Sequence, residues 1–375
     1  MKIAVLGAGM VGRTIAADLS ANFDTTSFDI SQSNLLLLEK FPKVKTTISD
    51  LSNFDGYTSL LDGFDMAVCA VPGFMGYQAL KAIINAGKNV VDISFFSQDA
   101  LTLDTLAKQK NVTAIVDCGV APGMSNWVLG HYNTQMKIQE FECMVGGLPM
   151  QRIKPWEYKA PFSPVDVIEE YIRPARYVVN GEIITRSALS DAELIDFPVV
   201  GTLESFNTDG LRSILFTMKH IPNMKEKTLR YPGHIALIQS LQKAGFFSND
   251  DVLVKGKPVV PLELTSQLLL NQWKLHPNEP EFTIMYITCI GIMDNKPTTI
   301  DYFLYDENDR AIGFSSISRT TGFTCTAAVN LLHQNLFTQK GVFPPELVAG
   351  TPGTFEFIIK YLKDRAVVYK KTVRQ

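Results

Sequence analysis

Short blocks of strand-forming residues alternate with stretches of helical period along the first third of the chain. Residues 3–6, 25–29, 44–48, 66–71, 89–93 and 112–116 read as strands. Between them, apolar positions three and four apart predict helices from residue 10 onward and over 50–61, 75–85 and 99–109. The 66–71 block, MAVCAV, has no polar position, the mark of a strand covered on both faces. Strand and helix in strict alternation predict a parallel sheet with helical crossovers. Past Pro122 the pattern changes. A helix is expected over 123–132, an alternating strand over 138–145, and a hairpin with arms 176–179 and 182–185 about Asn180-Gly181. Helices follow at 234–243 and 262–273, strands at 282–292, 298–305 and 311–318, then helical stretches at 320–336 and 355–362. This second region reads as α+β, with a mixed or antiparallel sheet. The turn at 119–123 is rich in glycine and proline and too short for a tether, so the cleft between the two regions is the default site.

The first strand runs directly into Gly7-Ala8-Gly9-Met10-Val11-Gly12 and then a helix. In that arrangement Gly7 permits the turn, Gly9 lets a pyrophosphate approach the backbone, and Gly12 lets helix and strand pack closely. The helix N-terminus presents unpaired N–H groups and the positive end of its dipole. A second strand ends in Asp29, roughly 20 residues on, where a carboxylate can accept from ribose hydroxyls. The N-terminal region is therefore expected to be a Rossmann domain. Its expected cofactor contacts are Gly7, Gly9, Met10, Val11, Gly12, Asp29, Asp50, Ala70, Val71 and Pro72, at or near the carboxyl ends of strands. Asp29 without an adjacent arginine favours NAD, with NADP possible; Lys40 is expected to lie too far along to matter.

Composition adds exclusions. The 375 residues carry a net charge of −3 with 46% hydrophobic residues, and no long basic run offers itself to nucleic acid or an anionic membrane. No apolar run reaches the length of a membrane span. The N-terminus enters a strand that the glycine motif needs, so it is not expected to be a removable signal. The five cysteines form no C-x-x-C, which fits reduced thiols in a cytoplasm. His131, His220, His234, His276 and His333 fall in no metal-ligand spacing, and no metal is expected.

The run Asp117-Cys118-Gly119-Val120-Ala121-Pro122-Gly123-Met124-Ser125-Asn126 resembles the saccharopine dehydrogenase-like family, and within it the lysine 6-dehydrogenases. Gly146-Gly147-Leu148-Pro149, Pro155-Trp156-Glu157-Tyr158-Lys159 and Phe162-Ser163-Pro164 match too, as do Asn180-Gly181-Glu182, Leu203 to Arg212 and Met224 to His234. The resemblance implies a Rossmann domain over 1–122, a substrate and oligomerisation domain over 123–319, and a C-terminal helical segment, 320–375, that returns to the first domain. It implies a homodimer or higher homo-oligomer. Saccharopine enzymes usually carry Asn-Arg-Asp where this chain has Asn207-Thr208-Asp209, which favours lysine itself as substrate. The expected reaction is NAD(P)-dependent oxidative deamination of an amino acid, lysine at its 6-amino group. Saccharopine or a carboxylated polyamine are alternatives within the class, and a dinucleotide sensor or a structural subunit lie outside it.

Amine oxidation needs a proton acceptor and, for an amino acid, a cation for the carboxylate. Asp117 closes a strand and is a candidate for ammonium binding or proton transfer; capping the next helix is its alternative. Ser94 follows a strand end and could bond substrate or merely shape a turn. Arg212 is the expected carboxylate partner, beside Thr208, with a structural ion pair as the rival. Tyr158 and Lys159 sit in an aromatic, proline-bent loop; a buried Lys159 could act as base. His234 has the intrinsic pKa for proton transfer, or caps a helix. Cys118 reads as wall.

Overall fold

The computed structural model describes residues 1–160, 164–276 and 279–375. Phe162 and Ser163 of the family-like run lie outside the described residues.

The first region folds as strands β1 (Lys2–Leu6), β2 (Asp24–Asp29), β3 (Val44–Ile48), β4 (Met66–Cys69), β5 (Asn89–Asp92) and β6 (Thr113–Ile115). The second holds β7 (Lys137–Pro149), β8 (Ala175–Val179), β9 (Glu182–Arg186), β10 (Glu193–Phe197), β11 (Gly201–Asn207) and β12 (Asn223–Arg230). It continues with the small hairpin β13 (Val252–Val254) and β14 (Lys257–Val259), then β15 (Glu281–Met293) and β16 (Lys296–Glu307). Two late strands follow, β17 (Gly341–Phe343) and β18 (Tyr369–Arg374).

Seven strands form one parallel sheet in the order β17-β6-β5-β4-β1-β2-β3. β1 and β4 are apolar and buried in its centre, as their unbroken hydrophobic runs require. The order reverses at β1, which places the switch point, and so the ligand crevice, at the carboxyl end of β1 and its neighbours. The second sheet is mixed. Its main path is β10-β11-β12-β7-β15-β16-β18, and β12 runs parallel to β7 while the other pairs on the path are antiparallel.

The helix Ser316–His333 ties the two sheets together. All its residues from Ser316 to Leu332 are buried except Thr321. It packs along the helix Met10–Leu19 at Gly322, where an added Cβ would press on Thr14 and Ile15 at 3.3 and 3.4 Å. Asp18 on the first helix accepts from Thr326 (2.6 Å), Tyr361 (2.8 Å) and Arg365 (2.7 Å), so one carboxylate pins two late helices to the Rossmann domain. One apolar core runs from Ile15 and Trp127 through Ala328 to Ile287, spanning both regions.

Several predicted elements change on folding. The strand expected at 311–318 does not form: Asp309 Oδ1 accepts from the N–H of Ala311 and Ile312, and the Ser315 hydroxyl caps the helix that begins at Ser316. Local side-chain caps there outcompete ladder pairing. The helices expected at 50–61 and 99–109 each break into a 3-10 turn and a shorter helix, Tyr57–Leu60 and Asp104–Gln109. Within 320–375 the chain also contributes strands, β17 to the first sheet and β18 to the second. β18, Tyr-Lys-Lys-Thr-Val-Arg, is an edge strand, and its lysines face water, so no hydrophobic alternation announced it.

Candidate active site

A cleft of about 1590 Å³ opens where the carboxyl ends of the parallel strands meet the second sheet. At one end it is lined by Gly7, Gly9, Met10, Val11, Gly12, Asp29, Asp50, Ala70, Val71 and Pro72, so every cofactor contact expected from sequence lies on one wall.

The glycines there divide the work. Gly7 takes φ +108° and its N–H donates to Phe28 O at 2.8 Å; a Cβ on it would strike the Ala70 carbonyl. A Cβ on Gly12 would strike the Gly7 carbonyl. Gly9 has nothing within 4 Å of where its Cβ would stand, and it faces the cleft. The first two are demanded by packing and the third leaves space for a ligand. The first-turn N–H groups of Met10, Val11 and Gly12 have no intrahelical partner and point to that space. These features fit a pyrophosphate. Asp29 receives the Ala8 and Ser31 N–H groups, both at 2.7 Å, which holds its carboxylate at the lip of the cradle. Asp50 takes the N–H and hydroxyl of Ser52, which hold it below the usual carboxylate range.

Two cations absent from the expected set also line this end. Arg13, one turn into the helix, donates to Ala8 O at 2.8 Å, and Lys40 donates to Ile312 O at 2.6 Å. Lys40 therefore reaches the cleft, contrary to expectation, because Phe41 and Phe314 stack and carry it back over their rings.

The other half of the cleft is lined by Ser94, Asp117, Thr208, Asp209, Gly210 and Glu226, with Glu169, Glu170, Arg173, Lys274 and Glu279 around them. Ser94 is 3% exposed and its hydroxyl lies 3.5 Å from the Cys69 thiol. The Thr208 hydroxyl accepts from Thr228 at 3.1 Å. Asp117 meets Arg212 at 2.9 Å, both of them buried. Burial lifts Asp117 above the usual carboxylate range even though Arg212 opposes the shift. Arg212 is not on the cleft wall. Its guanidinium also donates to Phe96 O and lies 4.8 and 5.3 Å from the Phe95 and Phe96 ring centres. Nε and Nη1 are both placed on protein and the residue is 8% exposed, the geometry of a structural ion pair.

Tyr158, Lys159 and His234 are not brought to the cleft. Tyr158 and His234 lie with Tyr171 and Trp273 in an aromatic cluster around Arg230. Arg230 donates to the Tyr171 hydroxyl at 2.9 Å, so that hydroxyl gives its proton to His234 Nε2 at 3.0 Å, and Nδ1–H donates to Trp156 O at 2.8 Å. Burial and the Arg230 charge push the His234 pKa down to about 3, which leaves a neutral imidazole locked in place. Lys159 Nζ donates to the carbonyls of Gln272 (3.2 Å) and Lys274 (3.3 Å), holding its loop to the end of the helix Pro261–Trp273. Their aromatic and basic neighbours are what made these residues conspicuous in sequence, and packing is what uses them. Cys118 is buried wall, its thiol turned toward Thr324 O.

The carboxylate that sequence reading missed is Glu226. It sits on β12, a strand written Asn-Met-Lys-Glu-Lys-Thr-Leu-Arg, whose Glu226, Lys227 and Arg230 are all buried. Charges in a strand hydrogen-bonded on both sides were the available signal.

The chain matches two family models end to end: saccharopine dehydrogenase NADP binding domain over residues 3–115, and saccharopine dehydrogenase C-terminal domain over residues 119–368. The chain belongs to the saccharopine dehydrogenase family. The fold agrees with saccharopine dehydrogenase (L-Glu forming) from Saccharomyces cerevisiae at a TM-score of 0.81, with 18% identity and 100% of both chains covered. Among curated relatives, the mitochondrial alpha-aminoadipic semialdehyde synthase of Rattus norvegicus is 23% identical over 66% of this chain and 29% of its own length. Saccharopine dehydrogenase [NADP(+), L-glutamate-forming] of Pyricularia oryzae is 21% identical over 63% of this chain and 58% of its own. The chain thus spans under a third of the first relative and somewhat over half of the second. NAD or NADP is the cofactor class that the family's first domain and this cradle both fit. Among the described residues no group of side chains could hold a metal, and no helix is long and apolar enough to cross a membrane.

Two outcomes follow from this geometry. Gly9→Val fills the space left for the pyrophosphate without touching protein, so calorimetry should show dinucleotide binding lost and an unchanged unfolding transition; wild-type affinity would misplace the motif. Arg212→Ala leaves Asp117 buried beside an empty site and should cost about 3–5 kcal/mol in urea denaturation. A variant of normal stability with only a raised KM would restore Arg212 as a substrate ligand.

Proposed function

We propose that this saccharopine dehydrogenase family member oxidises the side-chain amine of an amino acid, L-lysine at its 6-position, releasing ammonia and the semialdehyde that cyclises to piperideine carboxylate. The observation that supports lysine is the charge left over in the substrate half of the cleft. Asp117, Asp209, Glu170 and Glu169 pair with Arg212, Arg176, Arg230 and Arg173. Glu279 accepts from the His276 N–H at 2.7 Å. Among the described residues that leaves the Glu226 carboxylate and the Lys274 ammonium on the wall without a hydrogen bond or ion pair. One unpaired carboxyl group and one ammonium complement a substrate with one distal amine and one carboxylate. Arg173, stacked 5.3 Å from the Phe95 ring, adds a second cation at the carboxylate end.

The bound dinucleotide, NAD or NADP, supplies the two-electron acceptor for the hydride. Gly9 and the N–H groups of Met10 to Gly12 hold its pyrophosphate, and Asp29 its ribose hydroxyls. Lys274 and Arg173 orient the substrate carboxylate, Ser94 and Thr208 flank the reacting end, and Asp117 is fixed by Arg212 so that its charge is spent before substrate arrives. A second reading is saccharopine, favoured by the names of the curated relatives and of the superposable yeast structure. Its three carboxylates outnumber the two cations, Lys274 and Arg173, that line this half of the cleft among the described residues.

L-Lysine should reduce NAD or NADP, with activity rising toward alkaline pH, because the amine has a reference pKa of about 10.4 and must be neutral to release hydride. Deuterium at C6 should reach the nicotinamide and nitrogen-15 at the side chain should appear as ammonia. Glutamate released from saccharopine would install the second reading, and dinucleotide binding with no turnover on either amine would leave a sensor. Lys274→Ala should raise the KM for the amino acid by about ten- to a hundredfold, the loss of a charge-assisted hydrogen bond, with dinucleotide affinity unchanged.

A further inference from the structure

We propose that Glu226 is the group that receives the substrate ammonium and takes its proton, so that β12 and not the Rossmann domain carries the general base. The inference rests on the amine-oxidation reading and names the residue that reading lacks.

The seat of Glu226 is built for a carboxylate. It is 6% exposed, yet it lines the cleft, and among the described residues no side-chain hydrogen bond or ion pair reaches it. Its main chain is fixed on both sides. β12 pairs with β7 in parallel, Glu226 opposite Cys143, and the Glu226 carbonyl accepts from Thr208 N at 3.2 Å. The carboxylate lies flat against Gly210, where any side chain would overlap Oε1 and Cδ. A glycine is therefore what admits it. Thr208, Asp209, Gly210 and Thr228 line the same patch of wall.

The charges facing it explain why it stands unpaired. Glu170 comes from the helix Pro164–Ile172, Asp209 and Arg212 from the loop after β11, Asp117 from the turn after β6, and the Cys143 thiol from β7. Arg212 alone opposes the repulsion, and it is committed to Asp117. Burial first, then Glu170 and Asp209, push the Glu226 pKa up to about 8. A carboxylate so placed gains a counter-ion only when a cationic ligand arrives, and it is a base strong enough to matter near neutral pH.

The step balances without any further reagent. The N–H bond of the substrate ammonium breaks, an O–H bond forms on Glu226, and nothing is oxidised. The neutral amine then loses hydride from its carbon to the dinucleotide, which is reduced as the C–N bond becomes an iminium. Water adds at that carbon and ammonia leaves.

Calorimetry on the full chain with reduced dinucleotide bound tests this, using L-lysine and saccharopine as probes in buffers of different ionisation enthalpy. At pH 7 Glu226 in the free enzyme is protonated, so an arriving ammonium should expel close to one proton per site. Glu226→Gln should abolish that release. In steady state the same variant should lower kcat/KM by about 10²–10⁴-fold and erase a limb that falls tenfold per pH unit below pH 8, while dinucleotide affinity holds. Glu226→Asp should restore part of the rate, and Gly210→Ala, which displaces the carboxylate but keeps it, should weaken the proton release. Binding with no proton release, or equal release from Glu226→Gln, overturns the assignment while the amine-oxidation reading stands. Failure of both amines to bind overturns that reading, and the assignment falls with it.

Discussion

Asp117, Asp209, Glu170 and Arg212 all act on Glu226, and Arg212 forms its ion pair with Asp117. That pair spans 95 residues of chain, and both partners are buried. Breaking such a pair is costly because the partner left behind is a buried charge. The pair therefore joins the end of the parallel sheet to the loop after β11, and both residues accept left-handed backbone to make it, Asp117 at φ +52° and Arg212 at φ +47°. Non-glycine residues hold such angles only where the surroundings over-determine them. The consequence for chemistry is the carboxyl that remains: with Arg212 bonded to Asp117, Glu226 lines the cleft without an ion-pair partner among the described residues.

The scaffold makes that imbalance tolerable. The helix Ser316–His333 fills the space between the two sheets, and Asp18 clamps it and the helix Thr354–Lys363 to the Rossmann domain. Arg230 organises the other flank, holding Glu170 at 2.8 Å and the Tyr171–His234 chain, so the aromatic cluster sets the position of the helix that carries Glu169 and Glu170 and is followed by Arg173. Three arginines are framework: Arg176, Arg212 and Arg230 each pair with an acid on the cleft wall from behind it.

Local pattern sufficed for the cofactor half. The glycine spacing, the preceding apolar strand and Asp29 at the end of the next strand are separated by few residues, and their geometry follows from one βαβ unit; the structure places all of them on one wall. The mixed second sheet was legible as a class, since β15 and β16 are long alternating strands about a tight turn. β10, β11, β17 and β18 were not legible, because they are short, polar or at an edge and acquire their partners only from distant chain.

The substrate half was decided by tertiary structure alone. Sequence could name Asp117, Arg212, Tyr158, Lys159 and His234 as chemically able residues, yet ability is not availability. His234 became inert when Tyr171, Trp156 and Arg230 closed around it, and Lys159 when it met two carbonyls of a helix end more than a hundred residues away. Glu226 is buried too, yet it lines the cleft without an opposite charge paired to it among the described residues. Whether a charge in a cleft is spent or open depends on which opposite charge folding brings within about 4 Å of it, and those partners are remote in sequence. The chain by itself made the glycine cradle and Asp29 legible, because Gly7 to Gly12 and Asp29 belong to one βαβ unit. The fold decided which acids of the cleft wall are paired, because Arg176, Arg212 and Arg230 reach them from distant parts of the chain.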